Sequence, residues 1–274
     1  MGVGATLRVL VPDQWPPLWP TDVTVEVGEE YEAIVVEAAW VPSRDGDDTD
    51  YAAAADAGMQ LPPLPTLAAE AVGGDVEVRL TPPTAPTAWK AEGSGSPNPS
   101  LAHAYAYSAH AGRAAVRCLI PPRFCGVDVV SGGGAVTLES VTESHVAIDS
   151  GGGDVTLGSV KGAKLRIATG GGALHAKNLT ADSDISTDGG NVTLGKLVGR
   201  VINLHTLGGD VSVGALFADT ITLDTAGGGI HLKAAQVSGS GVFRSHGGGV
   251  SIQGLAGDGE VGEGALHRYS PPFS

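Results

Sequence analysis

His205, Asp224 and Arg244 are the densest titratable group that the sequence can bring together. Each stands immediately before the Ser or Thr of a repeated motif, so equivalent slots on consecutive rungs would set them about 5 Å apart. An imidazole beside a carboxylate and a guanidinium holds the groups that acid–base chemistry uses. The same side chains on a wet face are a charge ladder worth only about a few tenths of a kcal/mol. The ladder is the reading adopted: a weak surface patch, with no catalytic, cofactor-binding or metal-ligating residue assigned.

Other chemistries fail on spacing. His175 and His231 share a slot but lie three rungs apart, about 14 Å, too far to share a metal ion. The Gly-Gly-Gly runs lack the following helix and the Lys of a phosphate cradle. The acidic stretch Ser43 to Asp50 lacks the flanking helices and distal Glu of a calcium loop. The outward row Thr137, Thr156, His175, Thr193, Ser212, His231, Ser251 has an irregular neighbour where an ice-binding face would need a second Thr column.

These slots exist because the motif Ser/Thr-x-Gly-Gly-x-Val-x-Leu returns seven times, from Ser131, Ser150, Thr169, Thr187, Thr206, Thr225 and Ser245, at steps of 19, 19, 18, 19, 19 and 20 residues. A fixed period near 20 marks a solenoid. Apolar columns stand two residues before the Ser/Thr and five, seven and ten after it. Val136, Val155, Leu174, Val192, Val211, Ile230 and Val250 form one of them. Period two within each coil means strand. The glycines two and three after the Ser/Thr are a tight corner, where positive φ is tolerated. The hydroxyls would face that corner and bond the backbone of their own turn or the hydroxyl of the next rung.

Composition agrees. Gly is 42 of 274 residues and aromatics are 5%, so the core rests on Val, Leu and Ile. Net charge is −14, and residues 1–77 hold 15 acidic and two basic residues, or 13 of the excess negative charges. The repeats are nearly neutral and carry no basic stripe, which argues against nucleic acid. No 18-residue apolar run exists, so no membrane span is expected. Cys118 and Cys125, with six residues between them, can meet across a bend or stand as two reduced thiols. No signal or transit peptide is visible, which favours an intracellular location. Met1 to Thr6 fits a loose myristoylation pattern, with a flexible start to a strand as the plainer alternative.

The chain divides into an acidic, strand-rich N-terminal segment and cap (residues 1–80), a Pro/Ser/Gly/Ala-rich linker or insertion (81–104), the β-solenoid repeats (105–264) and a C-terminal tail (265–274). Val23, Val25 and Val27 mark a half-buried strand. Ala71 to Val78, with Gly73-Gly74 and alternating valines, reads as a degenerate or capping copy of the repeat.

Val116 to Pro122 leading into Val127-Asp128-Val129, followed by the repeated motif, resembles a β-solenoid domain of unknown function found widely in bacteria and named as an adhesin for its architecture more than for demonstrated adhesion. The resemblance runs from Arg113 to about Gly262. It is nearest to a eukaryotic branch, which also begins with a short strand-rich segment similar to Gly4 to Pro20 and has a stretch similar to Lys161 to Gly171. The resemblance implies no agreed catalytic or ligand residues. It implies mitochondria for the animal members, whose targeting segment this N-terminus lacks.

The expectation is an all-β, single-stack β-solenoid, parallel β-helix-like, of about seven 18–20-residue coils. It would be a non-enzymatic scaffold that binds a protein partner and needs no cofactor. The alternative is a carbohydrate-binding or carbohydrate-active β-helix. Such a site would gather carboxylates, a cation and an aromatic on adjacent rungs. Phe217 and Phe243 are the two aromatics between Val127 and Leu266, and Phe243 sits in a core slot, which counts against sugar.

Overall fold

Seven nearly equal coils cannot each bury an apolar face alone, and stacking is what lets them do so together. The computed structural model describes residues 6–10, 21–27, 35–42, 66–72, 75–81, 112–120, 126–261 and 267–269, and no helix occurs among them. The strands are β1 (Thr6–Leu10), β2 (Thr21–Val27), β3 (Val35–Pro42), β4 (Thr66–Val72), β5 (Asp75–Thr81), β6 (Gly112–Ile120) and β7 (Gly126–Val130). The long coil strands follow: β8 (Val136–Asp149), β9 (Val155–Ala168), β10 (Leu174–Ser186), β11 (Val192–His205), β12 (Val211–Asp224) and β13 (Ile230–Arg244). Then come β14 (Val250–Ile252), β15 (Leu255–Val261) and β16 (His267–Tyr269). Strands β8 to β13 stack in parallel, each in register with the same slots of the next. The protein is an all-β solenoid of about seven coils.

The predicted columns are the core. Val136, Val155, Leu174, Val192, Val211 and Ile230 are buried, as are Leu138, Leu157, Leu194, Val213 and Leu232 two residues on. Ten after the Ser/Thr, Val141, Val160, Leu179, Leu197, Leu216 and Ala235 are buried too. The step from seven to ten breaks strict alternation, so each long strand turns between those slots. A fully buried Leu, Ile or Val contributes roughly 1.5–3 kcal/mol, repeated on every rung.

At the corner all seven Ser/Thr side chains are at most 1% exposed. Each hydroxyl donates to the carbonyl of the Gly three residues on, at 2.5–2.6 Å. Ser131, Ser150, Thr169 and Thr206 also reach the backbone carbonyl of the next Ser/Thr at 3.1–3.4 Å. The partner on the next rung is thus a carbonyl, where a hydroxyl was the alternative.

The glycines have two separate causes. The first and second residues after the Ser/Thr have positive φ, 48–63° and 108–134° respectively. Asp188, Leu207, Ala226 and His246 nevertheless occupy the first of these slots. At the third slot, a Cβ on Gly153, Gly172, Gly190, Gly209, Gly228 or Gly248 would be driven into the carbonyl oxygen of the equivalent Gly on the preceding coil. There glycine is required by close approach of two backbones, not by φ.

The N-terminal strands pair directly into the stack. β1 lies between β5 and β7, and β2 between β6 and the first half of β8, all in parallel. The segment expected as a cap therefore supplies a rung, threaded between strands that come later in the chain. Leu7, Val9 and Val23 join the core at 0% exposure. β3 pairs antiparallel with β6 and β4 antiparallel with β5. The expected copy at Ala71 to Val78 is thus the end of β4 and start of β5, with Val72 opposite Asp75. At the other end β16 pairs with β14 inside the expected tail. The myristoylation pattern, the acidic stretch Ser43 to Asp50 and Cys125 lie outside the described residues, and Cys118 is buried.

Candidate functional site: a groove at the second bend

The three residues of the expected patch fall on adjacent rungs, His205 opposite Asp224 and Asp224 opposite Arg244. The Asp224 carboxylate has two other engagements. Its Oδ1 accepts the N–H of Ala226 at 3.0 Å, bracing its own corner, and its Oδ2 meets Nε2 of His246 at 3.3 Å. Asp149 braces its corner the same way through the N–H of Gly151 at 3.1 Å. The slot before the Ser/Thr therefore serves the corner when it holds Asp. The patch gains a fourth member, His246, which the sequence reading missed because it did not examine the variable slot directly after the Ser/Thr. His175 and His231 stand three rungs apart, through Thr193 and Ser212.

A different place gathers more varied chemistry. Coils of 18 and 20 residues must absorb their difference somewhere, and the register shifts fall together eleven to sixteen residues after the Ser/Thr, at a second bend beyond the turn between slots seven and ten: Thr180/Asp182, Ala218/Thr220 and Val237/Gly241, with an irregularity at Thr142/Ser144 between two coils of equal length. Along this bend runs an open groove of about 530 Å³. Its floor and walls come from β9 to β13, and Asp182, Arg200, Phe217, Asp219, Gln236 and Ser238 supply its functional side chains.

The rows explain the arrangement. Thr180, Val198, Phe217 and Gln236 are consecutive in register, eleven residues after their Ser/Thr. Asp182, Arg200, Asp219 and Ser238 follow two residues later. Phe217 remains 38% exposed, one of three large apolar residues on the described surface with Val201 and Leu207. The Lys196 ammonium lies 5.4 Å from its ring centroid, a cation–π distance.

Asp182 is tied into this frame. Its Oδ2 accepts from Arg200 Nη2 at 2.7 Å, and its Oδ1 accepts the backbone N–H groups of Arg200 at 2.9 Å and Val201 at 3.3 Å. The Arg200 side-chain hydrogen bond, then its backbone N–H, hold the Asp182 carboxyl below the usual carboxylate range. A general acid needs the opposite shift. Among the described residues no group of three or more His, Cys, Asp or Glu comes together to hold a metal ion. The groove offers hydrogen-bonding groups and one aromatic surface.

The sequence reading missed Asp182, Arg200 and Asp219 because it examined slots six, eight and minus one. The eleventh and thirteenth slots carried the signal: one aromatic and alternating charges on successive coils.

The Toastrack DUF4097 family model matches residues 66–254. The match begins at β4, ahead of the repeats. Among solved structures the chain is similar to a candidate cell adhesion protein from Clostridium sporogenes, at 12% identity over 95% of this chain and 92% of that one, with a TM-score of 0.21. No curated protein matches the sequence. With the family model spanning well over half of its length, the chain belongs to the Toastrack DUF4097 family.

Proposed function

We propose that the protein is a non-enzymatic β-solenoid scaffold that binds a protein partner along its exposed strand faces. One observation carries this reading. Every invariant element of the repeat is consumed by stacking: buried hydroxyls bonded to carbonyls, apolar columns in the core, glycines where backbones touch. What varies from coil to coil faces outward, and recognition has only those positions to use. The rigid stack fixes them about 4.8 Å apart per rung, a surface suited to an extended partner. Membership of the eukaryotic branch is part of the proposal, resting on Lys161 to Gly171. Affinity purification with mass spectrometry, comparing wild type with variants of exposed strand positions such as Thr193 and Lys177, tests the reading. Partners should be lost in the variants while the fold is kept.

A carbohydrate ligand is the second reading. One observation favours it: the exposed Phe217 ring stands in a groove beside carboxylates and cations on neighbouring rungs.

A further inference from the structure

We infer that the ridge formed by the last four corners is the interface of a symmetric dimer, in which a second copy of this chain lies antiparallel along it. This goes beyond the protein-partner reading, which uses the strand faces, and does not rest on it. The argument starts from the backbone. The first residue after the Ser/Thr is left-handed at every corner, at φ 61–63° where it is Gly132, Gly151 or Gly170. The next four corners give up that glycine and hold Asp188, Leu207, Ala226 and His246 at φ 48–51°. Asp and His are tolerated in this region, whereas Leu and Ala are poorly suited to it. Leu207 adds a second cost, an apolar side chain standing 64% exposed. Stacking requires neither, since glycine serves the same slot at three corners. These side chains have their use outside their own coil.

The order of the four names the occupant. Up the stack the ridge reads acid, apolar, small apolar, base. A twofold axis between the Leu207 and Ala226 rungs, at right angles to the solenoid, sets Asp188 against the partner's His246 and Leu207 against the partner's Ala226. Each contact then occurs twice, as in any isologous interface. The row directly before the Ser/Thr runs Ser186, His205, Asp224, Arg244. The same axis sets His205 against the partner's Asp224 and Ser186 against the partner's Arg244. Four residues after the Ser/Thr, Asp210 meets the partner's Gly229, and Asn191 the partner's Gly249. In these three rows no like charges meet. Three rows that each match their own reversal fit a second copy of the same chain.

The pairing groups keep the atoms they need. Asp188 accepts the Ser186 hydroxyl on Oδ1 at 2.9 Å and retains Oδ2. His246 meets Asp224 through Nε2 at 3.3 Å and retains Nδ1, with its side chain 55% exposed. Close approach is open as well. Among the described residues, no atom comes within 4 Å of where a Cβ would stand at Gly189, Gly208, Gly227 or Gly247, beside the four ridge residues. The ridge is narrow, so the area buried falls at or below the low end of specific interfaces, about 1,200 Å². The dimer is therefore weak and concentration-dependent.

Sedimentation velocity of the full chain, from micromolar to millimolar protein, reads it. The wild type should dimerise reversibly as concentration rises. Leu207→Gly should weaken the dimer at least tenfold. Asp188→Lys and His246→Glu should each do the same, because each sets like charges against each other across the axis. Mixing those two variants should restore a dimer, since one end then joins the new lysine to the new glutamate and the other keeps Asp188 against His246. Lys161→Glu, exposed at the second bend, should change nothing. Circular dichroism melts establish that each variant is folded, and Leu207→Gly keeps the test decisive if a charge variant is not. A chain that stays monomeric at every concentration overturns the inference. So does a dimer that survives Leu207→Gly and both charge variants. Charge variants that weaken the dimer singly and fail to rescue each other when mixed overturn it too, because the antiparallel register requires the rescue. A different protein that binds the ridge while this chain alone stays monomeric overturns it and leaves the scaffold reading intact.

Discussion

Asp22 Oδ1 accepts the backbone N–H of Ala135 at 3.0 Å, across a sequence separation of 113 residues. The same bond recurs inside the repeats, from Ala173 to Asp154 at 2.8 Å, Asp210 to Asn191 at 2.9 Å and Gly229 to Asp210 at 2.7 Å. The backbone bond from Val23 to Ala135, at 2.8 Å, likewise repeats that from Val136 to Asp154 at 2.9 Å. β2 is therefore joined to the solenoid by the coils' own hydrogen-bonding pattern. Asp22→Ala should cost about 1 kcal/mol and speed amide exchange at Ala135, much as Asp154→Ala does at Ala173. Urea denaturation and hydrogen exchange by NMR check both.

The two causes for glycine predict opposite outcomes two residues apart. Gly209→Ala places a Cβ against the Gly190 carbonyl and should destabilise by about 3 kcal/mol or more. Leu207 has φ 51° and is 64% exposed. Leu207→Gly relieves about 1–2 kcal/mol of left-handed strain against the added chain entropy of glycine, about 0.5–1 kcal/mol. It should leave stability unchanged or slightly higher. Thermal and urea melts of the two variants separate φ from contact.

Thr206→Val keeps the shape and removes the hydroxyl, stranding the Gly209 carbonyl that it serves at 2.6 Å. A loss of about 1–3 kcal/mol is expected. Thr206→Ser removes one methyl and should cost about 0.8 kcal/mol or less, since Ser fills this slot at positions 131, 150 and 245. Denaturant midpoints rank the pair.

Asp182 gives the groove a pH signature. Its folded pKa lies below the ordinary value because Arg200 donates to the ionised form. The pairing therefore favours the fold fully above the unfolded-state pKa, and that contribution is lost as pH falls through the lower, folded-state pKa. Asp182→Asn keeps an acceptor for the Arg200 and Val201 N–H groups and removes the charge. The difference between wild type and variant should be constant near neutral pH and disappear in acid below the usual carboxylate range. Carbon-detected NMR titration of the Asp182 carboxyl should show the lowered midpoint directly. Glu26, lowered by its hydrogen bond from Arg117, should behave likewise.

The columns were legible because stacking converts a 19-residue period into rows, and rows of Val, Leu, Ile, Ser and Thr need no knowledge of the third dimension. The fold and its corner followed from that alone. The N-terminal rung was not legible. Leu7 and Val23 alternate like any half-buried strand, and nothing local says that β1 slips between β5 and β7 and β2 between β6 and β8. The groove was hidden for a related reason. Its rows depend on where coils of 18 and 20 residues absorb their difference, and the register shifts at Thr180 and Val237 resolve that in space. His205, Asp224 and Arg244 needed only the uniform part of the repeat, and their register is as counted.

The central claim is that this protein works by binding through the variable outward slots and performs no turnover. Quantitative affinity purification with mass spectrometry, using full-length wild type and a folded variant with its exposed strand positions replaced, tests it most directly. The account predicts that specific partners disappear with the exposed positions while the solenoid's melting temperature is kept. Retention of every partner, together with a turnover activity abolished by replacing a single carboxylate such as Asp219, would contradict it.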